Sequence, residues 1–242
     1  MIRISAVIPV FNEAACLAEH VPALSEILAG IAGDDWEILL VDDGSDDGTD
    51  AIVAELAADP RIRGLRHEVN RGKGAAVRTG VLASRGEIVI FCDADMSTPM
   101  ETARQFVEAL EAGADVVVGN RKSRAATIER KQPFIRTWLG LGFTRLANGL
   151  MGLEVSDYTC GFKAFRGDPG RAVFERVATS RWSFDVELLA IAARDGLVIR
   201  EIPVRWHHEE DTRVRVLRDV IGSFLELLAI RRRLGRIPKA NP

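Results

Sequence analysis

Residues 87–99 read EIVIFCDADMSTP. Ile88, Val89, Ile90 and Phe91 run without a polar break and are rich in β-branched side chains. An uninterrupted apolar run of this kind marks a strand covered on both faces, the environment of a parallel sheet. The run stops at Asp93 and Asp95, one residue apart. Burying a carboxylate is costly unless a positive group pairs with it. Two of them at the end of a core strand therefore ask for a cation. Ser97 or Thr98 can cap the next helix with Pro99 at its start, which explains the end of the motif but leaves both aspartates unpaired.

The same pattern recurs outward from this point. ISAVIPV (4–10), WEILLV (36–41) and ADVVVG (114–119) read as strands, and RIRGLRH (61–67) as a weaker one. Helical spacing runs from about Glu13 to Leu28, and through TDAIVAELA (49–57), GAAVRTGVLAS (74–84) and METARQFVEALEA (100–112). Strand and helix alternate, which predicts an α/β fold with a mostly parallel central sheet flanked by helices. After Asn120 the rhythm breaks. Residues 121–132 read as a basic loop, 134–151 as a helix, CGFKAFRG (160–167) as a short strand, FDVELLAIAARDG (184–196) as a helix and LVIREIPVRW (197–206) as a strand. A long helix from Val214 ends in Arg231, Arg232 and Arg233. With no linker, repeat or low-complexity tract, residues 1–242 read as one domain.

The composition, 47% hydrophobic and 28% charged over 242 residues, is that of a globular chain. A net charge of -3 gives no reason to expect nucleic acid. Cys16, Cys92 and Cys160 form no CxxC pair, so neither a disulfide framework nor a zinc site is expected, and a reducing compartment suits them. The amino terminus leads directly into a strand with no signal-peptide pattern. No run of about twenty uncharged apolar residues is expected to span a bilayer. The nearest, Phe134 to Gly152, is interrupted by Arg136 and Arg145. These features predict a cytoplasmic protein with peripheral contact at most.

Sites in open parallel sheets lie at the carboxyl ends of the strands. Three such ends carry polar clusters: PVFNE (9–13), VDDGSDDGTD (41–50) and CDAD (92–95). In the second, a glycine turn and a helix cap at Thr49 or Asp50 account for residues 45–50 but not for Asp42, which continues the strand. A calcium loop is excluded, because a register starting at Asp43 puts Ala54 where the closing glutamate belongs. VNRGKGAAVRTG (69–80) sets Gly72, Lys73 and Gly74 at a helix start, which suits either a phosphate or an exposed lysine in a glycine turn. The DxD pair, Asp93 and Asp95, offers hard oxygen ligands to Mg²⁺ or Mn²⁺ shared with substrate phosphates. Arg121, Lys122, Arg124, Arg130, Lys131 and Arg136 form a basic patch against the single acid Glu129. A solvated loop explains most of them. Arg121 follows a strand end and suits a phosphate contact. His207 and His208 read as surface loop rather than metal ligands, and the cysteines as core.

In order along the chain, these pieces resemble the family 2 glycosyltransferases of GT-A fold. IPVFNE, VDDGSDDGT, NRGKGAAVRTG and FCDADMSTP carry the likeness through the first half. DYTCGFKAFRG and RWSFDVELLAIAARDGLVIREIPVRW extend it toward the polyprenyl-phosphate branch, closest to the dolichyl-phosphate β-glucosyltransferases, over Ile4 to about Arg232. The resemblance implies a Rossmann-like nucleotide-diphospho-sugar transferase. Residues 1–120 would bind the nucleotide sugar, 121–212 the acceptor, and 213–242 would form an amphipathic helix and basic tail. Pro9, Asn12, Glu13, Asp42, Asp43, Lys73 and Asp93 would surround the nucleotide sugar. Asp93 and Asp95 would hold Mg²⁺ or Mn²⁺, with Asp95 the main ligand. Arg121, Arg136, Asp157, Lys163 and Arg213 would face the acceptor, and Asp93, Asp95 and Arg121 would carry the catalysis. Relatives often follow the last strand with a Gly-Ser-Lys type element. Here HHEEDTRVRV (207–216) stands there, with Arg213 in place of the basic group.

The chemistry is consistent on its own terms. Breaking a sugar–diphosphate bond builds negative charge on the leaving group, which a divalent ion neutralises. A phosphate monoester, with second pKa ~6, is already ionised at neutral pH and needs positioning more than a general base. The expected reaction is inverting transfer of a hexose, glucose from UDP-glucose, to a polyprenyl phosphate at the cytoplasmic membrane face. The alternatives are mannose from GDP-mannose, transfer to a saccharide or protein hydroxyl, and a non-catalytic nucleotide-sugar module. Processive synthesis is disfavoured, because Ala178 stands where a QxxRW pattern needs glutamine. Val214, Leu217, Ile221, Phe224, Leu225 and Leu228 line one helical face ahead of the terminal arginines, as a membrane-surface helix or a core helix would.

Overall fold

The apolar run 88–91 lies in the middle of a seven-stranded sheet. The computed structural model describes residues 1–123, 125–128, 134–206 and 216–235, with backbone alone at 127–128, 134–138 and 216–221. Strands β1 (Ile4–Val10), β2 (Trp36–Asp42), β3 (Ile62–Arg66), β4 (Ile88–Cys92), β5 (Val116–Asn120), β7 (Phe162–Arg166) and β8 (Ile199–Pro203) follow the spatial order β3-β2-β1-β4-β7-β5-β8. All neighbours are parallel except β7, which runs antiparallel to both β4 and β5. Since β4 and β5 both oppose β7, they run the same way. The carboxyl ends of β1, β2, β4, β5 and β8 therefore share one edge, and the loop entering β7 returns there.

Alternation along each strand feeds two apolar layers. Ile38 and Leu40 face α1 (Ala14–Ala32), α2 (Thr49–Leu56) and α4 (Thr102–Glu111), while Leu39 and Val41 face α3 (Lys73–Ala83), α6 (Gly167–Arg176) and α7 (Phe184–Arg194). Helix α6 escapes the periodicity because GDPGRAVFER opens with two glycines and a proline. Pro169 sits in its first turn, where a missing N–H is tolerated. A short ladder of β6 (Thr127–Ile128) with β9 (Arg205–Trp206) arises inside the stretch expected to be loop.

Helix α1, which carries Glu19 and Glu26, comes nearer to a membrane span than residues 134–152 do. With 19 residues and a mean hydropathy of 1.3 it is long and apolar enough to cross a membrane. Leu17, Val21, Leu24 and Leu28, spaced on one face, are buried against the sheet, which makes it a core helix. The last helix, α8 (Val216–Leu234), packs beside α5 (Phe134–Met151) and buries Leu227, Ile230 and Leu234, while Phe224, Leu225 and Leu228 stay 44%, 60% and 44% exposed.

Candidate active site

The first two loops of the shared edge are stitched to one another. Asn12, at φ 58, donates its amide to Ser45 Oγ (2.9 Å) and accepts from the Asp46 amide at Oδ1 (2.9 Å). The Glu13 amide donates to Thr49 Oγ1 (3.1 Å). Pro9 sits half-buried in β1 opposite Val41. Asp42, buried at the end of β2, accepts from the Ser45 amide at Oδ1 (2.9 Å), and its Oδ2 lies 3.4 Å from Arg66 Nε.

Asp43, expected among the nucleotide-sugar ligands, is turned inward instead. Its carboxylate accepts from His67 Nδ1 (2.6 Å), the Arg71 amide (3.0 Å) and the Gly72 amide (2.7 Å). It anchors the loop that opens α3. Gly44 (φ 78) makes this close fit possible, since a Cβ there would lie 2.8 Å from the Asn70 nitrogen.

Lys73 is the first residue of α3, and its Nζ lies 2.5 Å from Asp93 Oδ1. The DxD pair is half-buried, and Asp93, which the sequence leaves unpaired, already has a cationic partner in Lys73. Burial works against the Lys73 charge, but Asp93, Asp185 and Asp95 outweigh it and raise its pKa. Every residue of the acidic turn is held. The Asp93 amide donates to Gly161 O (3.2 Å), the Ala94 carbonyl accepts from His20 Nδ1 (2.8 Å), and Met96 takes φ 49. Asp95 Oδ1 accepts from the Ser97 amide (2.9 Å). Burial and the neighbouring Asp93 charge raise the Asp95 pKa. A side chain at Gly161 would collide with the Asp93 carboxylate.

Below this turn lies a second charge pair. Lys163, expected at the acceptor, is instead fully buried: its Nζ donates to Tyr158 O (2.9 Å) and Cys160 O (2.7 Å) and lies 2.8 Å from Asp185 Oδ1. Burial raises the Asp185 pKa against the pull of Lys163 and Lys73. Lys163 is thus an internal countercharge.

Asp157, expected at the acceptor, supports Arg121. Buried, it accepts from Arg121 Nε (2.8 Å) and Nη2 (2.9 Å) and from the Arg121 amide (3.1 Å). Burial opposes ionisation of Asp157, yet the Arg121 charge holds its pKa below the usual range. Glu201 steadies this loop by accepting from the Ser156 and Asp157 amides (2.9 and 3.1 Å). Arg121 also donates to Thr159 Oγ1 (2.9 Å), stands 5.5 Å from the Trp206 ring centre, and is close enough to feel the Asp93 charge. Its planar guanidinium is fixed along one edge, and Nη1 has no hydrogen-bond partner among the described residues. The side chain of Arg136, together with Arg213, His207 and His208, lies outside the described residues.

Lys73, Asp93, Asp95 and Arg121 therefore converge at the carboxyl edge. Sequence reading passed over His20, Gly161, Asp185 and the exposed Trp182. Trp182 and Asp185 stand in RWSFDVELL, whose polar residues interrupting an apolar helix start were the available signal. Nothing local marks His20. Among the described residues no three His, Cys, Asp or Glu side chains form a metal-holding group.

Residues 5–174 match the model of the family described as Glycosyl transferase family 2. Glycosyltransferase AglD of Haloferax volcanii is 33% identical over 94% of this chain and 36% of its own length. Dolichyl-phosphate beta-glucosyltransferases of Trichomonas vaginalis (ALG5C) and Saccharomyces cerevisiae are 34% and 31% identical, over 87% and 95% of this chain and 65% and 74% of their own lengths. The chain thus spans about a third of one such relative and about two thirds to three quarters of the others. Among solved structures, glucosyl-3-phosphoglycerate synthase from Mycobacterium tuberculosis, in complex with UDP, superimposes with TM-score 0.68 at 20% identity, covering 98% of this chain and 81% of that one. A mannosyltransferase from Pyrobaculum calidifontis, in complex with GDP-Man and Mn²⁺, gives 0.63 at 22%, covering 99% and 66%. These likenesses establish the GT-A fold. The family match covers well over half of the sequence, and the chain belongs to glycosyl transferase family 2.

Proposed function

We propose that the protein is an inverting, metal-dependent transferase that moves glucose from UDP-glucose to a polyprenyl phosphate. The observation that carries the reading is the Lys73–Asp93–Asp95 cluster at the strand ends, with Arg121 fixed beside it. The substrate assignment draws on relatives at 31–34% identity that are named dolichyl-phosphate beta-glucosyltransferases.

Asp95 fits a divalent ion. It is a hard oxygen donor whose ionised form is disfavoured by burial and by Asp93, so a cation relieves both. Two aspartates make an incomplete sphere, as in sites completed by substrate phosphates and water. Mg²⁺ or Mn²⁺ bound there supplies positive charge to the departing diphosphate.

The chain's own residues divide the rest. Pro9, Asn12, Glu13 and Asp42 shape the floor for the nucleoside. Lys73, at a helix amino terminus, offers an ammonium to the donor phosphates. Arg121 presents its outer edge to the acceptor phosphate, oriented by Asp157. An acceptor oxygen attacks the anomeric carbon, the bond to the diphosphate breaks, and the centre inverts. No general base is required, because the nucleophile arrives ionised. In this reading residues 1–120 bind the donor, 121–212 the acceptor, and 213–242 meet the cytoplasmic face of the membrane. Phe224, Leu225 and Leu228, with the exposed Arg231 and Arg232, are suited to such a surface.

The test is transfer from radiolabelled UDP-glucose to polyprenyl phosphate with Mn²⁺ or Mg²⁺, followed by extraction of the lipid. Labelled glucosyl lipid is expected. Labelling from GDP-mannose alone would transfer the assignment to mannose, and labelling from neither would sink the enzymatic reading.

A further inference from the structure

The three arginines that close α8 look like one basic flank in the sequence, but the structure sends them to different places. Arg231 Nη1 donates to Leu150 O at the end of α5 (2.6 Å), and Arg232 points to solvent. Arg233 turns into the protein. Its Nε donates to Glu187 Oε1 (2.8 Å) and its Nη2 to Thr179 Oγ1 (2.6 Å). Glu187 is fully buried in α7, and its other oxygen accepts from the amides of Ala178 (3.0 Å) and Thr179 (2.7 Å).

This clamp holds the segment between α6 and α7, and the first turn of α3 rests on that segment. The Ala75 amide donates to Ser180 O (3.1 Å). At Gly72 (φ +101) a Cβ would come within 2.5 Å of the same oxygen, and at Gly74 within 2.8 Å of Thr179 O. The two backbones meet directly at these glycines, with the Phe184 side chain packed beside Gly74. Between Gly72 and Gly74 stands Lys73, with Asp93 on one side and the ring of Trp182, from the clamped segment, 5.6 Å from its Nζ.

We infer that Arg233 is a positioning residue for the active site. Acting through Glu187 and Thr179 it fixes residues 177–183, and through them the first turn of α3 and Lys73. The last turn of α8 is then a working part of the transferase, independent of any membrane contact. What Lys73 does rests on the function proposed above; the clamp itself does not. Arginine suits the task because two separate nitrogens of its rigid planar fork, Nε and Nη2, hold the two acceptors in one fixed geometry, which a single ammonium nitrogen does not reproduce.

Two variants separate positioning from folding. Arg233→Lys keeps a cation at buried Glu187 but loses the fork. Thr179→Val deletes only the hydroxyl partner and leaves the ion pair. Amide hydrogen exchange on the full chain reads the clamp. We expect exchange in 72–76 and 177–183 to rise by roughly tenfold in both variants, with β2 unchanged, as local opening requires. Transfer to a short-chain polyprenyl phosphate in detergent, where no bilayer is present, reads the consequence. A fall of about tenfold in kcat/KM is expected from a misplaced lysine. In a Lys73→Ala background Arg233→Lys should lower the rate by less than about twofold, because the two changes act through one group. Faster exchange confined to 177–183, unchanged transfer, or equal losses in both backgrounds would overturn the inference. If the wild-type chain transfers no glucose, the functional reading falls while hydrogen exchange still decides the clamp.

Discussion

At the amino edge of the sheet, Glu37, the second residue of β2, is buried and surrounded by donors: Ser5 Oγ (2.7 Å), the Arg85 amide (2.7 Å) and guanidinium (2.6 Å), and Arg63 (3.2 Å). At the carboxyl edge Asp93, Asp95 and Asp185 share the ammonium groups of Lys73 and Lys163. Burial opposes ionisation at both edges. At Glu37 the donors win and the pKa falls, whereas at Asp95 and Asp185 burial wins and the pKa rises. The first cluster is saturated and holds the fold. The second is short of positive charge, as the cation and diphosphate site proposed above requires and a structural ion pair does not.

Exchanging the two roles by mutation should fail in opposite ways. Asp95→Asn removes a carboxylate whose charge is disfavoured in the fold. Transfer is expected to fall by about 10³-fold, the scale of losing a main electrostatic contact. The melting temperature should hold or rise, because an uncomfortable charge is gone. A stable variant with undiminished transfer breaks the comparison at its stronger end. Gly161→Ala comes next. The new methyl meets the Asp93 carboxylate, so Asp93 must move, and a displacement of that kind is worth about 10²-fold in rate. Binding of the nucleoside alone, which needs neither the metal nor the phosphate contact of Lys73, should change little, which localises the damage to the acidic turn.

The amino edge predicts loss of stability with intact chemistry. Glu37→Gln should lower unfolding free energy by about 2 kcal/mol, since its partners are partly exposed and water screens them. Rate per folded molecule should be unchanged. The lowered pKa of Glu37 also sets a sign. The folded state holds its proton less tightly than the unfolded chain, so the carboxylate stabilises above the ordinary glutamate range and loses that contribution as pH falls through its folded value. Urea titrations of wild type and Glu37→Gln should therefore differ at neutral pH and converge in acid. Curves that stay parallel down to the acid limit would contradict the assignment.

Charge type was legible along the chain and charge direction was not. The βα rhythm to Asn120 shows because each strand is apolar on both faces. The reversed strand β7 does not, because FKAFR pairs equally well in either direction and only the sheet decides. Asp42, Asp43, Asp93, Asp157 and Lys163 all stand near strand ends as conspicuous charges. Which of them face a ligand depends on partners tens of residues away: His67 for Asp43, Arg121 for Asp157, Asp185 for Lys163. Local sequence places a charge at an edge, but tertiary pairing determines whether it is used internally. The arginines of α8 were ambiguous for the same reason, and GDPGRAVFER hid a helix because its opening residues are turn formers held in place by packing on β7.

The smallest effect tests how the acidic turn keeps its shape. Its middle carbonyl, Ala94 O, can only accept, so the Nδ1 of His20 facing it at 2.8 Å must carry the proton. That bond crosses from α1 to the turn and holds the backbone between the two aspartates, while Ser97 and Gly161 hold its ends. Deleting it in His20→Ala should remove about 1 kcal/mol, the usual net value of one hydrogen bond. If the loss falls on metal binding, the Mn²⁺ concentration for half-maximal transfer rises by about fivefold. His20→Gln, which keeps an N–H donor, should recover most of it. A global effect would instead lower the melting temperature with the Mn²⁺ dependence unchanged, and would place His20 with Glu37 among the residues that serve only the fold.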